Sequence, residues 1–214
     1  MTVRQSSALS SFAKALATLL FGSGPLGCEG GVRGRAAVPR ASASVSPDVG
    51  ERAAGGEPVL RTLEPCVPVS YEVCFNALDD NCNGALEEGC GTPAGVIQFM
   101  IAWDAPRADI DLHVTDPNGE LIEAGRLSKS GLLKGRDCPG RRQECAGTNL
   151  ENVFLDGTKA PTRGTYKVSV ALESLGGDEP PIWVTLSLRL GPRREAFEIG
   201  LFEAEDEKLL EFSL

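Results

Sequence analysis

The residues best suited to chemistry lie in a short acidic stretch between closely spaced cysteines. Asp79, Asn81 and Asn83, followed directly by Gly84, match the opening pattern D-x-[DN]-x-[DN]-G of a calcium-binding loop. In such a loop alternate oxygen-bearing side chains face one ion, and the glycine allows the sharp turn. The sequence therefore predicts a calcium site with oxygen ligands from six residues: Asp79, Asn81, Asn83, Ala85 through its backbone carbonyl, Glu87 and Glu88.

This predicted site differs from an EF-hand. Glu87 and Glu88 stand at the ninth and tenth positions of the loop, too early for the glutamate that an EF-hand places at its twelfth position. Because two of the ligands are asparagines rather than aspartates, we expect a weak calcium affinity, about 10⁻⁴ to 10⁻³ M. The alternative interpretation is an Asx-rich polar turn held between disulfides.

The cysteines indicate an oxidising compartment. Four of the seven cysteines recur with identical intervals of seven residues, namely Cys66, Cys74, Cys82 and Cys90. Four cysteines allow three pairings, and the spacing does not choose among them. Cys138 and Cys145 flank a Pro-Gly reversal, which predicts that they pair with each other. Cys28 then remains without a partner, and in an exported protein an odd cysteine needs a separate role.

The beginning of the chain has the pattern of a bacterial export signal. Arg4 and Lys14 precede a short apolar run at 15–21, which is too short to span a bilayer. Small residues before Cys28 resemble a lipobox, the motif whose cysteine receives a lipid and becomes the mature N-terminus. We therefore predict a signal peptide at 1–27 and lipidation of Cys28, with ordinary signal cleavage as the alternative.

Composition then divides the remaining chain into three parts. Residues 28–64 are rich in Gly, Ala, Ser, Pro and Arg without helical or strand periodicity, which predicts a flexible linker. Residues 65–91 form a cysteine-rich unit that is too small for a hydrophobic core of its own. Residues 95–214 contain several short runs in which apolar residues alternate with polar ones. The predicted fold is mostly β, an antiparallel β-sandwich preceded by the small disulfide-framed loop and the linker.

A second cation site is a weaker hypothesis. Asp109 and Asp111 lie on one face of a predicted strand and could bind a metal together with Asp137, Glu151 or Asn152. The alternative is that these acids form the solvated face of an edge strand.

The cysteine-rich unit resembles a known motif. Residues 72–90 carry Glu72, Cys74, Asn76, Asp79 and Cys82 in the order and spacing of a cysteine- and aspartate-rich metal-binding motif of myxobacterial surface proteins. That motif is grouped with the copper-binding surface protein of methanotrophs. The resemblance implies a surface protein that binds a metal. Copper is disfavoured, since the chain has one histidine and its cysteines are expected in disulfides.

A second resemblance covers residues 96–173. The motifs W-D, D-I-D-L-H, D-P-N-G, E-N and G-T-Y follow one another as in the YfaP-like family of exported β-domains. That family has no established enzymatic activity, so the resemblance implies a binding or structural role.

The charge and composition of the chain argue against two classes of function, nucleic-acid binding and catalysis. A net charge of −9 argues against nucleic acid as a partner. A single histidine, His113, leaves few catalytic combinations, and we predict that the chain is not an enzyme. The sequence predicts an exported cell-envelope lipoprotein, anchored to a membrane by lipid, whose sandwich binds or positions an envelope protein or polymer. Without the lipid, it would be periplasmic or secreted. The alternative is an accessory or polymer-binding module of a secreted hydrolase.

Overall fold

The computed structural model describes residues 58–66, 68–139, 145, 147–157 and 159–214. The predicted signal peptide, Cys28 and nearly all of the predicted linker lie outside the described residues. Export and lipidation therefore stay predictions. Within the described ranges, no helix is long and apolar enough to cross a lipid bilayer.

The described part of the chain contains nine strands: β1 (Val59–Leu63), β2 (Ile97–Trp103), β3 (Asp109–Thr115), β4 (Leu132–Cys138), β5 (Leu150–Leu155), β6 (Thr165–Ser174), β7 (Ile182–Leu190), β8 (Arg193–Leu201) and β9 (Glu207–Ser213). They form a six-stranded sheet in the order β1-β8-β7-β2-β5-β4 and a three-stranded sheet in the order β3-β6-β9. Every strand pair is antiparallel. The predicted fold class, a mostly β antiparallel sandwich, is confirmed.

The core of the sandwich lies between the inner faces of these two sheets. On β3, Ile110, Leu112 and Val114 are fully buried, while the residues between them are partly exposed. This alternation arises because successive side chains of a strand point to opposite faces. The largest fully buried side chains in this core include Phe99 and Tyr166, whose ring centroids are 5.7 Å apart.

β2 and β5 are buried on both faces. Their outer faces are covered by the cysteine-rich segment, which forms a second apolar cluster with them: Ala77, Leu86, Met100, Ala102 and Leu150. The sequence placed residues 65–91 in a unit of their own, whereas the structure includes the described residues of this segment in one compact unit with the sandwich. Covering β2 and β5 supplies the hydrophobic burial that so short a segment lacks by itself.

One strand lies where the sequence predicted linker. Residues 59–63 form β1, which pairs with the outer edge of β8. Arg61 forms a salt bridge of 3.1 Å with Glu198 and places its guanidinium 4.6 Å from the centre of the Trp183 ring. Residues 59–63 therefore do not belong to a flexible linker, and this correction has a physical reason. A strand edge offers unpaired backbone donors and acceptors to any extended segment, and local composition does not show which segment takes them.

Candidate metal-binding sites

Two interleaved disulfides frame the predicted calcium loop. Cys66 pairs with Cys82 and Cys74 pairs with Cys90, each across sixteen positions of sequence. The structure thus selects one of the three pairings that the spacing left open. The predicted disulfide between Cys138 and Cys145 is confirmed. All the cysteines of the described residues are paired.

The loop turns sharply at Gly84, as its pattern predicted. Gly84 has a φ of +94°, and a Cβ at this position would come within 3.2 Å of the Arg194 guanidinium. Its backbone N–H donates a hydrogen bond of 2.9 Å to Asp79 Oδ2. Glycine is thus required both for the left-handed conformation and for the close approach of Arg194.

Asp79 and Glu87 are the two fully buried residues among the predicted ligands, and Asp79 is paired with a cation. Its side chain is fully buried, and Arg194 Nη1 on β8 lies 2.8 Å from Oδ2. Asp79 Oδ1 has no hydrogen-bond partner among the described residues. One oxygen of Asp79 is therefore neutralised by an internal cation, while the other is a buried acceptor without a donor.

Asn81, Asn83 and Glu88 form a network at the tip of the loop. The Oδ1 atoms of the two asparagines accept hydrogen bonds from the N–H groups of Asn83, at 3.0 Å, and Ala85, at 2.9 Å. Both side-chain amides donate to Glu88 Oε1. Glu88 Oε2 is buried without a hydrogen-bond partner among the described residues. The structure thus brings together three of the six predicted ligands, Asn81, Asn83 and Glu88, whereas Ala85 takes part through its N–H and not through the predicted carbonyl.

Glu87 has a different position, although it is adjacent to Glu88. Its buried carboxylate accepts hydrogen bonds from the N–H groups of Phe75, Asn76 and Ala77 at 2.5–2.7 Å. Phe75 and Ala77 have φ values of +70° and +60°, an alternation that turns successive N–H groups toward one anion. Burial raises the pKa of Glu87, although these hydrogen bonds oppose the rise. Glu87 therefore fixes the backbone of the segment.

Two acidic residues of the loop were not among the predicted ligands. Glu72 accepts hydrogen bonds from the N–H groups of Glu87, at 3.0 Å, and Asn81, at 3.4 Å. Asp80 accepts from the N–H of Val73 and the side chain of Asn76. Glu72 is part of the metal-binding motif that residues 72–90 resemble. Its place in that motif was the sequence signal that could have identified it as a functional residue. Arg194, more than a hundred residues away, carried no such signal.

The second predicted site is assembled from two sheets. Asp111 on β3, Asp137 on β4 and Glu151 on β5 each offer a carboxylate oxygen within 4.8 Å of the others. Lys134 Nζ lies 2.6 Å from Asp137 Oδ1 and 2.9 Å from Glu151 Oε2. Complete burial raises the pKa of Glu151 to about 8, against the opposing effect of the Lys134 ammonium. Burial alone would lower the pKa of Lys134, but the Glu151 and Asp137 carboxylates raise it.

Two other candidates for this second site, Asp109 and Asn152, lie apart from the group. Asp109 is on the same strand as Asp111 but does not belong to the cluster of three carboxylates. Asn152 donates from Nδ2 to the carbonyl of Pro93 at 2.6 Å, on the opposite side of β5 from Glu151. His113 is partly buried and lines a cavity of about 300 Å³ beside Asp111 and Asp137.

Trp183 on β7 has two close contacts on its ring. Gly200 lies against the Trp183 ring, where an added Cβ would be 2.8 Å from the nearest ring carbon. The Arg61 guanidinium lies over the ring, 4.6 Å from its centre. A sugar ring stacks on an open aromatic face, so this geometry disfavours Trp183 as a polymer-binding platform.

Comparison of the chain with protein-family models, with curated proteins and with solved structures gives no match.

Proposed function

We propose that this chain is an exported lipoprotein of the cell envelope, anchored through a lipid on Cys28. Its β-sandwich would bind or position another envelope component, and it would have no catalytic activity. The observation that carries the proposal is the complete pairing of the six cysteines in the described residues. Disulfides persist in oxidising compartments, and with six cysteines paired Cys28 is the odd thiol that lipidation would use.

The anchor is tested by expressing the full chain in a lipidating bacterial host. Wild type is expected in the detergent phase after phase separation, with a mature N-terminus whose mass includes the lipid. Cys28→Ser is expected in the aqueous phase. Ser23→Ala, within the predicted leader, is the matched control and is expected to partition as wild type does. Equal partitioning of wild type and Cys28→Ser would contradict the lipid anchor.

The proposal includes calcium binding at the loop. Asp79, Asn81, Asn83 and Glu88 would hold the ion, which would neutralise charge and cross-link the turn. Support comes from two buried carboxylate oxygens without hydrogen-bond partners in the described residues, Asp79 Oδ1 and Glu88 Oε2. Buried acceptors of this kind are costly unless an ion, a proton or water satisfies them. Arg194 already neutralises one oxygen of Asp79, which reduces the negative charge available to calcium. We therefore still expect the weak calcium affinity that the two asparagines predict.

Glu88→Gln is the sharpest variant for this site. It keeps the shape of the side chain and leaves the Asp79–Arg194 pair intact, so the fold should survive. Wild type should gain about 2.7 kcal/mol of stability at a hundredfold calcium excess over Kd. Magnesium should substitute poorly because of its strict octahedral geometry. The matched control is Glu179→Gln, an exposed residue that should keep the calcium response.

Two outcomes would contradict the calcium proposal. One is the absence of any calcium-dependent change in melting up to about 10 mM, above the weakest affinity of extracellular loops. The other is a response that Glu88→Gln retains in full, which would place the ion elsewhere. The loop would then be an Asx-rich turn held by its disulfides and Arg194.

A further inference from the structure

A cluster of charged side chains lies where edge strands of the two sheets come together. Asp111 lies on β3, an edge strand of the smaller sheet, and Asp137 lies on β4, an edge strand of the larger one. Glu151, on β5, completes the group of carboxylates, and Lys134 lies among them. We call these four residues the inter-sheet cluster.

Glu151 is the residue of the inter-sheet cluster that points to a ligand. It is fully buried, and its Oε2 accepts hydrogen bonds from the backbone N–H of Leu112 at 2.7 Å and from Lys134. Its Oε1 has no hydrogen-bond partner in the described part of the chain. A buried carboxylate oxygen without a donor is rare in folded proteins and usually marks a bound ion or water.

The charges of the inter-sheet cluster do not balance internally. The two aspartates alone outnumber the single ammonium group, so the cluster has an excess of acid whether or not Glu151 carries a proton. A cavity of about 300 Å³ is lined by Asp111, Asp137 and Lys134, and also by Glu123 and His113. The available space would admit an ion with several waters.

We infer that the inter-sheet cluster binds a divalent cation that prefers oxygen ligands, through Asp111, Asp137 and Glu151. Magnesium, manganese and calcium take carboxylates and water as ligands, so the donor set fits this class. Lys134 is the internal cation that partly neutralises the cluster when the ion is absent. Because the ligands come from strands of both sheets, the bound ion joins the sandwich at its open edge. This inference is independent of the loop and of the lipid anchor.

Manganese is the probe, because its unpaired electrons both report binding and broaden nearby NMR signals. The oxidised full chain in detergent is titrated with Mn²⁺, and free Mn²⁺ is followed by electron paramagnetic resonance. Backbone amide signals of a ¹⁵N-labelled sample are recorded in parallel. The amides of Leu112, Lys134 and Glu151 are expected to broaden at the lowest manganese concentrations.

Three variants separate this site from other acidic residues. Asp111→Asn, at a partly exposed position, should weaken binding at least about tenfold, as should Glu151→Gln. Asp109→Asn removes a carboxylate from the same strand but outside the cluster, and should bind as wild type does. Retained amide dispersion shows that each variant is folded.

The inference is overturned by any of three results. The first is the absence of manganese binding up to about 10 mM, the weak limit for protein sites of this kind. The second is broadening of amide signals centred on residues 79–88 instead of the inter-sheet cluster. The third is an equal manganese affinity of wild type and Asp111→Asn.

Discussion

Arg194 and Asp79 form a salt bridge of 2.8 Å between β8 and the cysteine-rich loop, across 115 positions of sequence. Asp79 is fully buried. The Arg194 guanidinium also lies next to Gly84, at the position toward which a Cβ would point. The pair therefore holds the loop against the larger sheet. It also gives Asp79 a structural role that does not depend on a bound ion.

Asp79→Ala should destabilise the protein even without calcium. It leaves Arg194 without its partner and removes the acceptor of the Gly84 N–H, and breaking a buried pair costs about 3 kcal/mol. Arg194→Met leaves Asp79 buried and unpaired, so its cost should be similar. Urea unfolding in EDTA measures both, and the double variant should cost clearly less than the sum. Additive effects would mean that the two side chains do not interact in solution.

Truncation of two adjacent glutamates should destabilise the protein to very different extents. Glu87→Ala leaves three backbone N–H groups without their acceptor, at about 1 kcal/mol or more for each. We expect a loss of at least about 3 kcal/mol in the free energy of unfolding. Glu88→Ala, without calcium, should cost less than about 1 kcal/mol, since its hydrogen bonds lie at the loop tip. Urea unfolding compares them, and equal losses would contradict the anion-binding arrangement around Glu87.

The two disulfides of the loop offer a comparison at constant loop length. Each closes sixteen positions, so chain entropy alone predicts an equal loss of about 3 kcal/mol on removal. The Cys74–Cys90 loop also contains both Glu87 and its three N–H donors. Replacing Cys74 and Cys90 by serine should therefore destabilise more than replacing Cys66 and Cys82. Urea unfolding of the two double variants measures this difference, and its absence would show that chain entropy is sufficient.

The cysteine-rich segment and the sandwich should unfold together. The sequence predicted a separate cysteine-rich unit, but Leu86 and Ala77 share a buried cluster with β2 and β5. Gln98 on β2 also donates to the carbonyl of Leu86. We expect one calorimetric transition, and similar hydrogen-exchange free energies for the amides of Ala77 and Ile101. A separate low-temperature transition with early exchange at Ala77 would contradict this.

The Asp116 carboxylate should make the free energy of unfolding depend on pH in the acidic range. Burial by itself would raise its pKa, but hydrogen bonds from Glu120, Ser130 and Asn118 outweigh burial and lower the pKa below 3.8. An aspartate with a lowered folded-state pKa stabilises the protein above about pH 4, the unfolded pKa, and loses this contribution as the pH falls further. Asp116→Asn should therefore be less stable than wild type at pH 5–7, by about 1 kcal/mol.

The difference between wild type and Asp116→Asn should shrink between about pH 4 and pH 2. Denaturant unfolding at a series of pH values measures it, and Asp104→Asn, at an exposed position, controls for net charge. A difference that is constant down to pH 2 would show that Asp116 acts through shape alone.

Local patterns in the sequence were sufficient to predict several features of the structure. The alternating runs expected within residues 95–214 include residues 97–103, 110–114 and 182–190, which form strands, because the period of a strand is a property of neighbouring residues. The residues Asp116–Gly119 are likewise turn-forming types, and Asp116 Oδ1 accepts the N–H of Asn118 at 2.9 Å. The strands β4 and β5 do not alternate, and the sequence did not predict them as such.

By itself, then, the sequence determined the β-sandwich class, the Cys138–Cys145 pairing and the sharp turn at Gly84. Only the tertiary structure decided how Cys66, Cys74, Cys82 and Cys90 pair, since identical spacing makes the alternatives equivalent along the chain. It also decided that Arg194 neutralises Asp79, and that Asp137 and Glu151 join Asp111 whereas Asp109 and Asn152 do not. These relationships join residues on separate segments of the chain, and the free energy of such contacts depends on how two sheets and a loop pack together. No local pattern records that packing.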